Sequence, residues 1–364
     1  MIMKKYILYI SILCLFLNVS AQTYPKKANT IRLLTYNTHY CKGGTDPGSI
    51  NNFNIQRLAL VLKVLDADIV ALQELDSAAN SRGKRFLLGE IAKSTGLPYT
   101  VVYGNAADYD GGSIGCGTLV KNDIPIIKIK KLSLPSNTEA RIVVRTDFDK
   151  FVFMSSHFDL DDDKRIQGAG MICNDLDYIS KPVFLAGDLN DSFRWGGGAF
   201  ANYLNDAFTI ASSTEGSSLP GRTDGTQSLV DYVLLHDKNN SGIKVIDTHI
   251  VKSLEINNSI VDLSDISDHY PVFVDIEVPG LTNIANTMKE NSFQVYPNPA
   301  DGLLNLSSPQ EINKIEVYSL AGQKVMELSG EYINNIDLST LERGIYIIKA
   351  FSENKCFVKK ITKK

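Results

Sequence analysis

Asn37, Glu74, His157, Asp188, Asn190, Asp231, Asp268 and His269 share one property: each borders an apolar run of strand character. Residues 31–36 lead into Asn37, 68–73 into Glu74, 151–156 into His157, and 182–186 into Gly187-Asp188-Leu189-Asn190. Asp231 opens the run 231–235, and Asp268-His269 stands at the mouth of the alternation Tyr270, Val272, Val274, Ile276. Strand ends in layered α/β proteins converge on one sheet edge, where ligands bind. Carboxylates and amides gathered there suit a hard, oxygen-liganded cation such as Mg²⁺, with Mn²⁺ or Ca²⁺ as alternatives. Imidazoles among them could move protons near neutral pH or neutralise an anion. Structural zinc is disfavoured, since it draws on clustered Cys and His and the cysteines show no CxxC spacing. Singly, each residue has an ordinary explanation: Asn37 and Asn190 as caps or turns, Glu74 and Asp188 as solvated carboxylates, His157 as a satisfied structural histidine.

The elements that must position these groups alternate between strand and helix, the pattern of a layered α/β protein. Ile55, Leu58, Leu62 and Leu65 recur at helical spacing. Residues 84–95 predict a second helix, stopped by Gly96 with Pro98 beyond. Residues 99–103 predict a strand, followed by a glycine-rich loop from Gly104 to Gly117. Residues 140–146 and 151–156 predict a hairpin, helical pattern resumes near Lys164, and 243–251 predict another strand.

With 364 residues and 44% hydrophobic content, the chain can build two domains with cores of their own. The net charge of −4 is unevenly placed. Residues 22–280 hold 25 Lys and Arg against 32 Asp and Glu, whereas 281–364 hold 10 against 9. A nonspecific polyanion binder would show a basic excess. Metal-ligating carboxylates explain part of the acidity, so a nucleic-acid substrate stays open.

At the N-terminus, Lys4 and Lys5 precede an apolar stretch ending at Val19, and Val19-Ser20-Ala21 has the small-residue pattern of a cleavage site. The stretch is shorter than the roughly 20 residues of a spanning helix, so residues 1–21 are expected to be a signal peptide. Export permits a disulfide among Cys41, Cys116, Cys173 and Cys356, and the sequence selects no pair. Composition shifts near residue 279: residues 279–291 read as a linker and 292–364 as short strands of a small β-sandwich.

Taken in order, Thr35-Tyr36-Asn37, Leu72-Gln73-Glu74, Ser156-His157-Phe158-Asp159, Gly187-Asp188-Leu189-Asn190, Asp231-Tyr232 and Ser267-Asp268-His269 resemble the endonuclease/exonuclease/phosphatase superfamily, the DNase I-like metal-dependent phosphoesterases. One such block is weak; unrelated turns would not reproduce six in order. The resemblance implies a four-layer α/β sandwich for residues 22–278, with two sheets at its centre and helices outside. It also implies Glu74 as principal Mg²⁺ ligand, helped by Asn37 and Asp268. Asp188 and Asn190 would orient the attacking water and the phosphate. His269, held in tautomer by Asp231, would be general base or charged stabiliser, with Asp188 the alternative base. A protonated His157 would bind a non-bridging oxygen or serve the leaving group. Metal and imidazole would offset charge that grows in the transition state.

Glu139 and Arg141 resemble an acidic-x-Arg pattern of the same family, with Arg141 facing the site. Arg194 and Trp195, following the Asp188 turn, are candidates for holding the rest of the substrate. Ser113 and Ile114 stand where many relatives have an aromatic residue, and the signatures of inositol polyphosphate 5-phosphatases are missing. Substrate class is therefore not transferred.

In the C-terminal region, Tyr296-Pro297-Asn298-Pro299, Val317-Tyr318-Ser319-Leu320-Ala321-Gly322 and Gly344-Ile345-Tyr346 resemble the type A sorting domain of the type IX secretion system. That implies passage across an outer membrane, then release or surface attachment, with the secretion machinery as partner. The expected whole is a secreted, monomeric, Mg²⁺-dependent hydrolase of phosphodiester bonds in nucleic acid or nucleotides. A sphingomyelinase-like activity on phospholipid headgroups and a phosphomonoesterase on small sugar or inositol phosphates are the alternatives. A non-catalytic binding module is the outside reading.

Overall fold

The structure, a computed structural model, describes residues 23–44, 48–222, 228–280, 293–308, 311–320, 322–330, 333–352 and 355–364. The expected signal peptide and residues 281–291 of the expected linker lie outside these. The chain divides between Glu277 and Val278 into two compact units.

In the first unit the strands are β1 (Ile31–Asn37), β2 (Ile69–Ser77), β3 (Tyr99–Tyr109), β4 (Gly112–Lys121), β5 (Lys128–Leu134), β6 (Arg141–Asp147), β7 (Val152–His157), β8 (Val183–Asp188), β9 (Thr209–Ile210), β10 (Asp231–His236), β11 (Lys244–Ile250), the hairpin β12 (Ser253–Ile256) and β13 (Ser259–Asp262), and β14 (Val272–Glu277). The main helices are α1 (Asn52–Leu65), α2 (Leu87–Thr95) and α3 (Asp162–Leu176). One six-stranded sheet runs β11-β14-β1-β2-β4-β3, the other β5-β6-β7-β8-β10-β9.

Alternation along the strands builds the layers. Leu34 and Tyr36 of β1 and Val70 and Leu72 of β2 share a core with Leu58, Leu62 and Leu65 of α1 and Ile91 of α2. On the other sheet, Met154, Leu185 and Leu234 pack with Ala169, Ile172 and Leu176 of α3. The intervening side chains face the opposite sheet, so Val102 and Cys116 meet Ile142 and Val144. Helices, sheet, sheet and helices form the four-layer α/β sandwich.

Strand direction decides where the polar residues go. β1 and β2 are parallel, as are β7 and β8, whereas β14 runs antiparallel to β1 and β10 to β8. The starts of β10 and β14 therefore lie beside the ends of the parallel strands, and Asp231 pairs with Asp188. β14 is tied to β1 by a fully buried ion pair: Arg32 Nε lies 2.7 Å from Asp275 Oδ1 and Nη2 2.8 Å from Oδ2.

Two expectations need correction. The glycine-rich stretch 104–117 is no loop but most of the β3–β4 hairpin, because its glycines let backbones approach. A Cβ on Gly115 would lie 1.9 Å from the Gly104 carbonyl oxygen. β2 does not end at Glu74 but bulges there and continues to Ser77. The edge strand β5, whose alternating lysines carry little apolar signal, has no counterpart in the sequence reading.

The second unit is all-β. Strands β15 (Gln294–Tyr296), β16 (Leu303–Ser307) and β19 (Asn335–Asp337) form one sheet. Strands β17 (Lys314–Ser319), β18 (Lys324–Ser329), β20 (Gly344–Ser352) and β21 (Lys355–Lys363) form the other. Leu304, Ile315, Val317, Ile336, Ile348 and Ile361 share their core. Among the described residues no helix is long and apolar enough to cross a membrane, and Cys41, Cys116 and Cys173 are free thiols.

Candidate functional site

The bulge in β2 explains how Glu74 enters the site. Leu72 and Leu75, three residues apart, both pack in the helix-side core, which strict alternation forbids. The extra residue is absorbed at Glu74, whose φ is +53°. Thr38 Oγ1 shares its one proton between the Gln73 and Glu74 carbonyls, at 3.0 and 2.7 Å, and pins the distortion. Gln73 and Glu74 thus both leave the helix side, and Asn37 Nδ2 donates to Glu74 Oε1 at 3.1 Å. Asn190, also at positive φ (+46°), donates its backbone N–H to Asp188 Oδ1 at 2.9 Å.

Asp188 lies at the centre. Its Oδ2 accepts from Asn37 Nδ2 at 3.1 Å and sits 3.4 Å from His157 Nε2 and 3.6 Å from His269 Nε2. His269 Nδ1 is 2.7 Å from Asp231 Oδ2. Burial alone would raise the Asp188 pKa, but His269, His157 and the Asn190 amide overcome it and hold the carboxyl below its usual range. Burial alone would lower the His269 pKa, yet Asp231 and Asp188 raise it to about 10. Burial and the nearby Asp188 charge push Asp231 upward, opposed by His269. The pair's shared proton therefore sits on the imidazole, and His269 is a cation at neutral pH.

This protonation state divides the polar groups of the site into two sets. Asp188, Asp231 and His269 have ligand atoms within 4.8 Å of one another. An imidazolium has no lone pair for a metal, however, so this trio fits charge stabilisation instead. Glu74, Asn37 and Asp268 offer hard carboxylate and amide oxygens, a donor set that fits Mg²⁺. Asn37 Oδ1 accepts from the His39 amide at 3.0 Å, which leaves one lone pair for a cation while its nitrogen aligns the two carboxylates. Ser267 Oγ donates to the Asn37 carbonyl at 2.7 Å, which ties the turn carrying Asp268 to the end of β1.

Of the remaining candidates, Arg141 is buried with Nη1 2.9 Å from His157 Nδ1, and Trp195 lines a cleft of about 680 Å³. Arg194 is a correction. Its guanidinium binds the Thr214 carbonyl, approaches Glu215 at 3.9 Å and stacks on Phe193, so it is committed away from the cleft. Arg165 and Arg222 line the cleft instead, with Leu160, Leu219 and Pro220, and it opens on Asn190, Asp268 and His269. Sequence reasoning also missed His39 and Tyr40. Their φ values are +48° and +52°, and His39 Nδ1 lies 3.6 Å from Asp268 Oδ1. Their adjacency to Asn37 was the available signal.

Comparison with known proteins agrees with this architecture. The endonuclease/exonuclease/phosphatase family model matches residues 34–269, and that of the secretion system C-terminal sorting domain matches 294–364. No curated protein matches the chain. Among solved structures, an endonuclease/exonuclease/phosphatase family protein from Bacteroides thetaiotaomicron is 14% identical, with a TM-score of 0.52 over 69% of this chain and 96% of that one. One from Beutenbergia cavernae is 15% identical, with a TM-score of 0.52 over 92% and 99%. A mannosyl-6-phosphatase from Bacteroides thetaiotaomicron is 15% identical, with a TM-score of 0.50 over 68% and 99%. At these identities the likeness carries the fold alone. The family match spans well over half of the chain, which belongs to the endonuclease/exonuclease/phosphatase family of phosphoester-hydrolysing enzymes and carries a C-terminal sorting domain for secretion or surface attachment.

Proposed function

We propose that this protein is an exported, Mg²⁺-dependent phosphodiesterase that works by in-line attack of water. One geometry carries the reading: Asp188 is fixed by two amides, and its neighbours Asn190 and His269 line the cleft. Glu74, Asn37 and Asp268 would hold the divalent cation, which would polarise the phosphoryl oxygens. Asp188 would orient the water and take its proton. His269, already protonated, is a poor base and would stabilise the negative charge of the transition state, with Asp231 keeping it cationic. Asn190 and His157 would donate to the remaining phosphoryl oxygens.

The cleft supports a diester with a sizeable leaving group, because Trp195 and Arg222 stand beyond the reacting centre. A nucleotide or nucleic acid fits that combination best. The negative balance of residues 22–280 favours a second reading, a phosphomonoesterase on small sugar phosphates, since a long polyanion would be repelled. The full chain should be assayed with Mg²⁺ on DNA, RNA, sphingomyelin and phosphomonoesters, with chelator and Asp188→Ala controls. Turnover insensitive to both controls would sink the metal mechanism. A steep loss of affinity with salt would mark the nuclease, a weak one the small-phosphate enzyme.

A further inference from the structure

The cleft that opens on Asn190 and His269 has two walls, each tied down by a buried carboxylate. One wall carries Trp195, the sole tryptophan of the chain, with 37% of its surface exposed. Its loop turns around the buried Asp191, which directly follows Asn190: Oδ1 accepts from the Ser192 amide at 2.8 Å and Oδ2 from the Phe200 amide at 3.1 Å. A Cβ on Gly198 would lie 2.5 Å from Asp191 Oδ2, so the returning chain passes against that carboxylate. Phe193 packs edge-on against Phe200 and Tyr232. The loop therefore presents the indole in a fixed place relative to Asn190.

The other wall carries Leu160, apolar yet 63% exposed. It follows Asp159, whose buried carboxylate accepts from the Thr138 and Asp161 amides at 3.2 and 2.8 Å. Arg165, in the first turn of α3, joins the two walls. Its Nη1 donates to the Asp159 and Leu160 carbonyls at 3.2 and 2.5 Å, and Nη2 donates to Asp162 at 2.9 Å. The guanidinium carbon stands 5.9 Å from the centre of the Trp195 ring, within reach of a cation–π contact. These bonds commit Arg165 to the walls, and one side chain fixes the Leu160 backbone and braces the indole.

Between the walls lie Leu219, Pro220 and Val230, with the exposed Arg222 at the rim, and Asp268 is the one carboxylate among the described lining residues. A choline headgroup would meet Arg222 and His269 and find no carboxylate beyond a metal ligand. A hexose would press hydroxyls against Leu160, Leu219 and Pro220, whose side chains offer no hydrogen bond. A nucleobase buries two flat faces and can keep its polar edge toward the open mouth. We propose that the slot between Leu160 and Trp195 is a nucleobase site and that Arg165 is the positioning residue that holds it in shape. This deepens the phosphodiesterase reading and rests on it: the base of one ester arm stacks on the indole, and Arg222 meets a further phosphate on that arm. The substrate class is then nucleotide diesters, not choline phospholipids or hexose phosphates.

Because Trp195 is the sole tryptophan, its fluorescence reports on the slot alone. The full chain is titrated with adenosine 5′-monophosphate, in chelator and again in Mg²⁺, with excitation where adenine does not absorb. The nucleotide should quench the emission to saturation. A hexose 6-phosphate and phosphocholine should leave it unchanged at about ten times the half-saturating nucleotide concentration. Arg165→Lys keeps the charge but loses the fork that reaches both carbonyls, and should weaken nucleotide binding about tenfold. On a dinucleotide it should raise KM by a similar factor with kcat lowered less than about threefold, whereas a general structural lesion would lower kcat with it. Emission that stays unquenched in both conditions overturns the proposal. So does equal quenching by the hexose phosphate or phosphocholine, or an Arg165→Lys variant that binds the nucleotide as tightly as the unmodified chain. If that variant fails to fold, Leu160→Ser gives the same reading, and unchanged nucleotide binding there overturns the slot. Quenching is read without turnover: a chain that binds the nucleotide but cleaves no phosphoester overturns the functional reading, and turnover without quenching overturns the slot alone.

Discussion

If His269 is a cation in the fold, the metal-free protein must lose stability as pH rises. An unfolded histidine titrates at 6.5, while Asp231 and Asp188 hold His269 up at about 10. A group whose pKa is raised by folding contributes its full stability below the unfolded value, and that contribution is lost as pH climbs toward the folded one. Each unit in that window corresponds to about 1.4 kcal/mol. Between pH 7 and 9 the loss should be about 2.5 kcal/mol, or roughly 5–10 °C in Tm for a domain of this size. Asp188, held low, stays ionised throughout and adds no slope. Cys41 and Cys116, pushed up to about 12 by burial, begin to contribute only above 9.0, so the window stops there. Urea denaturation in chelator at pH 7, 8 and 9 measures the slope, with His269→Gln as the comparison that should flatten it. A flat profile for the unmodified protein, or an equal slope in both, refutes a cationic His269.

Asp188→Asn keeps the shape but removes the proton acceptor and should cost roughly 10²–10⁴ in kcat with an unchanged circular dichroism spectrum. Chelation should abolish turnover and Mg²⁺ restore it, and Glu74→Gln should raise the Mg²⁺ concentration needed for half-maximal rate by about tenfold or more. Asp275→Asn would leave the buried Arg32 charge unpaired and should destabilise the fold by about 3–5 kcal/mol in urea titrations, far from the site.

Long-range order was legible in this sequence where local signals agreed with it. The spacing of Ile55, Leu58, Leu62 and Leu65 became the buried face of α1, and Gly96 at φ +69° ends α2 as a stop residue should. Polar residues at apolar strand ends marked the site because burial leaves a side chain little freedom over which edge it occupies. What failed to show were features set by packing between sheets. Glycines 104, 115 and 117 look like loop residues until the Val144 side chain, the Gly104 carbonyl and the Leu88 side chain are placed against them in turn. The break in alternation at Leu72 and Leu75 was present in the sequence, but a bulge is visible only once the helix-side core claims both leucines. The choice of Arg222 over Arg194 for the cleft depends on the Thr214 carbonyl twenty residues away, which local sequence does not encode.

The site is divided between the two sheets. Asn37, Glu74 and the Asp268-His269 pair come from one, and His157, Asp188 and Asp231 from the other. Two hydrogen bonds join the halves, Asn37 to Asp188 and His269 to Asp231. Sliding of one sheet over the other by a single ångström would leave every strand intact and still separate Asp188 from Asn37 and Glu74. Misplacement of that size can slow a reaction about a hundredfold. Turnover should therefore act as a gauge of the seam between the sheets, declining on warming before the strands themselves begin to melt.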